Sequence, residues 1–345
     1  MSITTRAACV LLADVGGTHA RFALAAPADA APLLVDSIRH YHVADFATFT
    51  DVARAYLGEI GARPHNGVFA FAGPLGGDEV RMTNHPWVIS RSRVCAELAF
   101  ASLHFVNDFA AMSLCIALLG ERDVHAIGSR GVPRVAASTG QTFAVLGPGT
   151  GLGVGALLLR EGCMFALETE AGHIAFAPRT EEEIEILRRL GAHFGRVSNE
   201  RLLCGNGLAN LHRALGEIHG TFADSLSAEE ITRRANAGTD AGCARAVEVF
   251  CELLGAVAGD FVLAVGAWNG TYLAGGMTPV LLPWLERGGF RRRFEDKGRF
   301  AERLAQVPSV AIAHPNPGLL GAAAFAVQDS GRILLGRSTV VATDN

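Results

Sequence analysis

The sequence predicts a mixed α/β protein of two domains with a cleft between them, and three observations carry that expectation. The chain has 345 residues, a length that fits about two domains. Apolar runs of strand length alternate with segments of helical periodicity. A strand–glycine turn–strand unit occurs around Asp14-Val15-Gly16-Gly17-Thr18 and again around Gly147-Pro148-Gly149-Thr150-Gly151-Leu152-Gly153. Two related halves of this kind leave a crevice where ligands bind.

Residues 7–13 and 21–26 read as strands joined by the first glycine turn, and 34–43 as a third strand after the Ala/Pro-rich loop 27–32. Phe49, Val52, Ala53, Tyr56 and Leu57 follow the i, i+3, i+4, i+7, i+8 spacing of a helix. Asn66-Gly67 precedes a strand from Val68 to Ala72; after a turn-rich stretch, 92–100 reads as a helix and 103–106 as a strand. The order is β-β-β-α-β-α-β, and it recurs loosely. Residues 142–147 and 153–159 flank the second glycine turn, with a strand at 164–168. Ile184, Leu187, Leu190 and Phe194 form a helical stripe over 181–194. There Glu181 to Glu183 suit the N-terminal dipole, Thr180 suits the N-cap and Glu183 completes a capping box. Residues 241–267 read as a long Ala-rich helix, Thr271 to Ala274 as a strand entering Gly275-Gly276, 309–313 as the last strand, and Gly318 to Val327 as the final helix. The domain boundary is expected after the helix at 108–119, with the last helix returning to the first domain. That gives a smaller domain of 1–118 plus 315–335 and a larger one of 119–314.

Composition narrows function. Half of the residues are hydrophobic (50%), enough for a sizeable core. The formal net charge of -4 argues against a general binder of nucleic acid or membrane surface. Of the 30 basic residues only Lys297 is a lysine, so no lysine stands beside either glycine turn. The seven cysteines are scattered without a C-x-x-C pair, which fits free buried thiols in a reducing compartment and no structural zinc. Arg6 to Ala13 is too short, and ends too soon at Asp14, for a signal peptide. Leu253 to Trp268 is interrupted by Asp260 and too short for a bilayer span. A soluble, cytoplasmic protein is expected. Arg291 to Arg293, followed by Glu295 and Asp296, reads as a solvated face.

The chemistry sits at the turns. The first lacks the G-x-x-x-x-G-K-[ST] of a P-loop, and a strand rather than a helix follows it. A strand–Gly-Gly-Thr–strand hairpin still aims backbone N–H groups at phosphate oxygens, because glycine tolerates the conformations required. It is also a favoured plain hairpin turn. Asp14 approaches phosphates only through a cation, which implies Mg²⁺. The second turn carries four glycines in seven residues, more than a hairpin needs; close backbone approach to a ligand explains the excess. Gly275-Gly276 suits either a nucleoside wall or a strand-to-helix turn with Pro279 near the first helical position. Asn107-Asp108, between a strand and a helix, suits an N-cap. Between two phosphate turns it equally suits the carboxylate that a kinase for an alcohol needs. Glu170 and His173 suit vicinal hydroxyls as hydrogen-bond partners, but taken in isolation they read better as a surface acid and a packed imidazole; Glu200 alone is anonymous and reads as an exposed helix acid.

Together these motifs resemble the bacterial glucokinase family of the proteobacterial type, within the superfamily of sugar kinases, actin and the heat-shock 70 ATPases. The matching stretches are L-L-A-D-V-G-G-T-H-A-R-F-A-L (11–24), M-T-N-H-P-W (82–87), N-D-F-A-A (107–111), G-P-G-T-G-L-G-V (147–154), E-A-G-H (170–173), V-S-N-E-R (197–201), A-G-G-M (274–277), F-E-D-K-G-R-F (294–300) and N-P-G-L-L-G (316–321). The resemblance implies an actin-like ATPase (ribonuclease H-like) fold and transfer of the γ-phosphoryl group of ATP to the 6-hydroxyl of D-glucose, with Mg²⁺. It makes Asp108 the catalytic base and Asn107, Asp108, Glu170, His173 and Glu200 the sugar ligands. It makes Ala13, Asp14, Val15, Gly16, Gly17 and Thr18 the first phosphate loop and Gly147, Gly149, Thr150 and Gly151 the second. Gly275 and Gly276 fall near the nucleoside, and Asp14 reaches Mg²⁺ through water. A homodimer is implied as well. Two flanking positions depart from the family pattern: His19 stands where an Asn is usual, and Thr169-Glu170-Ala171-Gly172-His173 replaces G-E-G-G-H. Competing readings are a kinase for another hexose or an N-acetylated amino sugar, a sugar-responsive repressor, and a non-catalytic actin-like protein. The repressor needs a DNA-binding segment, and only 13 residues precede Asp14. The actin-like protein has no need for Glu170, His173 and Glu200.

Overall fold

The computed structural model describes residues 9–335 and 339–342, apart from 74, 83–84, 137–139 and 222–224. Residues 7–8 of the first expected strand and Thr83-Asn84 of the 82–87 stretch lie outside the described residues.

β1 (Val10–Val15) and β2 (His19–Ala25) form an antiparallel hairpin around the first glycine turn, with Asp14 opposite Arg21. β3 (Leu33–His42) extends it. α1 (Phe49–Ile60) opens on a capping box between Thr48 and Asp51 and closes at Gly61, in left-handed conformation. β4 (Asn66–Phe71), a short hairpin of β5 (Glu79–Arg81) and β6 (Val88–Ser90), α2 (Arg91–Leu98) and β7 (Ser102–Asn107) follow. The chain then turns directly into α3 (Asp108–Leu114). These strands make a five-stranded sheet in the order β3-β2-β1-β4-β7. β1, β4 and β7 are parallel, and their last residues Val15, Phe71 and Asn107 lie in register. The first glycine turn and Asp108 therefore leave the sheet at one edge, outside the carboxyl ends of parallel strands, where open α/β sheets bind ligands.

The second sheet repeats the scheme. β8 (Val124–Ile127) precedes β9 (Gln141–Pro148) and β10 (Leu152–Arg160), which flank the second glycine turn, and β11 (Cys163–Thr169) follows. Four helices come next: α4 (Glu181–Phe194), α5 (Gly205–His219), α6 (Ala228–Ala237) and α7 (Ala241–Val265). After β12 (Gly270–Leu273) come α8 (Thr278–Leu285), α9 (Gly289–Glu295) and α10 (Ala301–Ala305), then β13 (Ser309–Ile312). The sheet order is β11-β10-β9-β12-β13-β8. β12 runs parallel to β9 with Leu273 beside Leu146, so Gly275-Gly276 emerges at the same end as the second turn. α11 (Pro317–Asp329) returns to the first sheet, and a hairpin of β14 (Arg332–Leu335) and β15 (Thr339–Ala342) ends the described chain.

Side-chain alternation sorts the layers. Leu11, Ala13 and Val15 point into a cluster with Phe22, Phe49, Tyr56, Phe69 and Phe71 on the α1 face. Val10 and Leu12 point the other way, into a cluster shared with Ala110 and Ala111 of α3, Leu319 and Ala323 of α11, and Phe143, Val145 and Tyr272 of the second sheet. α3 and α11 are thus packed between the two sheets. A Cβ on Gly321 would overlap the Ala111 carbonyl, so glycine is what lets these two helices touch. The other face of the second sheet buries Leu146 and Val154 against Leu208, Phe250 and Leu285. The layers run helix, sheet, helix, sheet, helix.

Several local expectations change. The β5–β6 hairpin, β8 and the β14–β15 hairpin are additional, so 309–313 is not the last strand. The box at α4 is half formed: Thr180 accepts the Glu183 N–H at 3.2 Å, while Glu183 accepts from Arg179 N–H at 2.7 Å and pairs with Arg293 at 2.9 Å. Arg291 and Arg293 are buried rather than solvated. Arg291 donates to the Val307 carbonyl at 2.9 Å and to Ser309 Oγ at 2.6 Å and pairs with Glu295 at 2.7 Å, the partners a buried guanidinium requires. The cysteines are free; all are buried except half-buried Cys95 and exposed Cys163. Among the described residues no helix is long and apolar enough to cross a membrane.

Candidate active site

α3 starts the site. Asn107 ends β7 in extended backbone and caps the helix, its Oδ1 accepting the N–H groups of Phe109 at 2.9 Å and Ala110 at 3.0 Å. Its Nδ2 donates to the Gly73 carbonyl at 3.3 Å. The cap is therefore Asn107, which leaves Asp108 as the first helical residue, with Oδ1 accepting the Phe109 N–H at 2.8 Å. Burial pushes the Asp108 carboxyl up to about 6; the Phe109 N–H opposes the shift, and the charges of Asp14 and Glu170 add to it. The carboxylates of the first turn and of the Glu170 loop thus act electrostatically on the one at the head of α3. Asp14 is itself largely buried, which raises its pKa, against the pull of the Arg21 guanidinium at 3.1 Å.

The Glu170 and Glu200 segments, remote in sequence, are joined by backbone. Phe176 N–H donates to Val197 O at 3.0 Å and Asn199 N–H to Ile174 O at 2.9 Å. His173 then lies between two acids: Nε2 is 3.9 Å from Glu170 and Nδ1 is 3.9 Å from Glu200. Glu170 is exposed, whereas Glu200 is partly buried and accepts the Leu152 N–H of the second turn at 2.9 Å. A Cβ on Gly172 would overlap the Leu152 carbonyl, so this loop lies flat on the same turn. Glu170, His173 and Glu200 form a polar cluster of two carboxylates and one imidazole, suited to fixing several hydroxyls, and the charge of Glu170 acts on Asp108.

The glycines of the second turn have separate tasks. A Cβ on Gly147 would fall 2.7 Å from Phe109 Cε2, one on Gly153 would overlap the Phe109 ring, and one on Gly151 would fall 2.6 Å from Glu200 Oε2. Gly149 is the exception, with Gly276 N the nearest atom at 3.9 Å. None of Gly16, Gly147, Gly149, Gly151 or Gly153 has the left-handed backbone that favours glycine. In the second turn Gly147, Gly151 and Gly153 make room for protein side chains, whereas Gly149 stays open. Gly275 does adopt φ +82, and a Cβ there would fall 2.5 Å from the Pro148 carbonyl, so it locks the two loops together.

A cavity of about 740 Å³ opens beside this end of the second sheet, lined by Gly149, Thr150, Gly205, Asn206, Ser227 and Glu229 among others, with Gly276 and Met277. The N-terminus of α5 begins at Gly205 and faces it, a place where anions are stabilised. Of the expected nucleotide-side residues, Gly149, Thr150 and Gly276 line this cavity, while Gly147, Gly151 and Gly275 serve packing. The first turn lies on the other sheet, where Ala13 and Val15 are buried in the core and have only backbone to offer. Sequence reading missed Gly205-Asn206 and the 225–229 segment. Their only local signal was the start of an apolar helical stripe after Cys204.

The glucokinase family model matches residues 11–329. The chain is 55% identical over 319 residues to a glucokinase of Stenotrophomonas maltophilia strain K279a, covering 92% of this chain and 94% of that one. It superposes on the crystal structure of a glucokinase from an Antarctic psychrotroph with a TM-score of 0.85 at 33% identity, covering 93% of this chain and 99% of that one. A ROK hexokinase from Thermus thermophilus shares the fold, with a TM-score of 0.62 at 21% identity over 93% of this chain and 99% of that one. The architecture is the actin-like ATPase fold.

Proposed function

Because the chain belongs to the glucokinase family, and so phosphorylates glucose with ATP as donor, we propose that Asp108 is the base for the 6-hydroxyl. The observation that carries this role is a half-buried carboxyl at the start of α3, raised to about 6 by burial, with the charges of Asp14 and Glu170 adding to the shift. At neutral pH such a group is ionised yet basic enough to accept a proton. In the reaction the sugar O6 bonds to the γ-phosphorus, the bond to the ADP oxygen breaks, and the O6 proton passes to Asp108. The transition state is loose, so positioning and charge balance carry most of the rate.

Asn107, Glu170, His173 and Glu200 hold the sugar hydroxyls in this reading. The His173 contacts and the Glu200 bond to Leu152 support it, since they present several acceptors from a rigid base. A sugar lacking a matched hydroxyl would leave a buried group unpaired. Backbone N–H groups of Ala13–Thr18 and of the second turn, with Thr150, take the phosphates, and Gly275-Gly276 border the nucleoside; the lining of the cavity supports this. The Asp14 carboxylate fits Mg²⁺: it is a hard oxygen donor, and burial raises its pKa, a cost that a nearby cation relieves. When bound through water beside Asp14, that ion would supply positive charge to the phosphate oxygens.

We place the domain division at 1–118 plus 315–335 against 119–314. The packing of α3 and α11 between the two sheets supports it. Closure of such a cleft would exclude water as a competing acceptor. We also propose pairing of two copies, supported by exposed Phe165 and Leu167 on the edge strand β11; light scattering at micromolar concentration tests it, and a monomer mass would remove it.

The test of function is ADP release from Mg-ATP across a panel of hexoses. Glucose is expected to be the preferred acceptor. Preference for fructose, mannose or an N-acetylated amino sugar would move the substrate assignment.

A further inference from the structure

We propose that Phe109 is a positioning residue for Asp108, its ring seated in a slot that the glycines of the second turn leave open. The proposal rests on the reading of Asp108 as base. Phe109 follows Asp108 directly, and its N–H is shared between Asp108 Oδ1 at 2.8 Å and Asn107 Oδ1 at 2.9 Å. Whatever fixes the Phe109 backbone therefore fixes the carboxylate.

The ring is fixed from the opposite sheet. Gly147 and Gly153 face each other across the β9–β10 pair. A Cβ on Gly147 would fall 2.7 Å from Cε2 of the ring, one on Gly153 would overlap Cδ2 and Cε2, and one on Gly155 would fall 3.4 Å from Cδ1. Three glycines thus form a flat floor under one aromatic ring. At the back, Ser113 Oγ donates to the Phe109 carbonyl at 3.0 Å. The same hairpin carries Gly149 and Thr150 to the large cavity at its tip. One rigid side chain therefore ties the carboxylate at the head of α3 to the hairpin that faces the phosphate donor. Glycine excess in this motif is then a device for alignment as well as for phosphate approach. Misplacing a reacting group by about 1 Å can cost on the order of 10²-fold in rate, so this contact is expected to appear in kcat.

The test uses purified full-length enzyme with Phe109→Ala, Phe109→Leu and Gly153→Ala, the double variant of Phe109→Ala with Gly153→Ala, Asp108→Asn, and Asp108→Asn combined with each Phe109 substitution. Phe109→Ala is expected to lower kcat on the order of 10²-fold while the KM for glucose moves by no more than a few-fold, with Phe109→Leu intermediate. Gly153→Ala alone is expected to lower kcat by displacing the ring. Its addition to Phe109→Ala is expected to cause no further loss, since no ring remains to be displaced. Adding Phe109→Ala to Asp108→Asn is likewise expected to cost nothing more, because Phe109 acts through Asp108. A kcat for both Phe109 variants near the wild-type value, or losses that multiply in either double variant, would overturn the proposal. Near-normal turnover in Asp108→Asn alone would instead sink the base assignment, so the two failures are distinguishable. Should Phe109→Ala not fold, Phe109→Leu and its combination with Asp108→Asn carry the same comparison.

Discussion

The two glycine turns are alike in sequence and unlike in structure. At the first turn a Cβ on Gly16 would meet nothing nearer than the His19 carbonyl at 3.8 Å. At the second, Gly147 and Gly153 accommodate Phe109, and Gly151 accommodates Glu200. The first is open and flanked by a buried acid, Asp14. The second is a junction where α3, the Glu200 segment and the large cavity meet. A glycine-rich turn between strands therefore need not mean one thing: in one case the space beside it stays open, and in the other it is filled by side chains of distant segments.

The largest expected effect concerns neither turn but the carboxylate at the head of α3. Asp108→Asn is expected to reduce kcat by about 10³-fold, measured by coupled ADP release, with glucose binding retained by calorimetry. Next is Gly151→Ala, which pushes on Glu200. A disturbed hydrogen bond to a charged group is worth about 1.5–3 kcal/mol, so the KM for glucose is expected to rise roughly tenfold or more. Unchanged KM there would erase the distinction between the turns. Gly16→Ala is the counterpart: its melting temperature is expected to stay within about 2 °C of wild type, with a few-fold rise in the KM for Mg-ATP and none for glucose. The smallest effect is on stability. A carboxyl raised from 3.8 to about 6 in the fold binds its proton more tightly folded than unfolded. Its ionisation therefore weakens the fold as pH rises from about 4 to 6. Asp108→Asn is expected to melt a few degrees higher than wild type above pH 6, on the order of 2–3 kcal/mol at most, and at the same temperature near pH 3.

Much of this was legible in the chain. The strands around both turns, the long helix α7 and the returning helix α11 follow from apolar runs and 3.6-residue spacing, which are local properties. β5, β6 and β8 escaped because three or four residues carry too little alternation to register. Arg291 and Arg293 read as a solvated run because their partners, Val307, Ser309 and Glu183, are brought to them only by folding. The site divides the same way. Asp108, Glu170, His173 and Glu200 were picked out by motif. That His173 lies between two acids, that Glu200 grips the second turn, and that Phe109 fills its glycines are contacts between distant segments, which no local pattern encodes.

The central claim, that Asp108 takes the proton from the sugar, is tested most directly by the pH dependence of kcat/KM for glucose in the wild type beside Asp108→Asn. Activity is expected to fall below a limb near 6, the value to which burial raises this carboxyl, and the residual activity of the variant is expected to show no such limb. A wild-type limb near 4, or a variant that keeps both the limb and the rate, would contradict it.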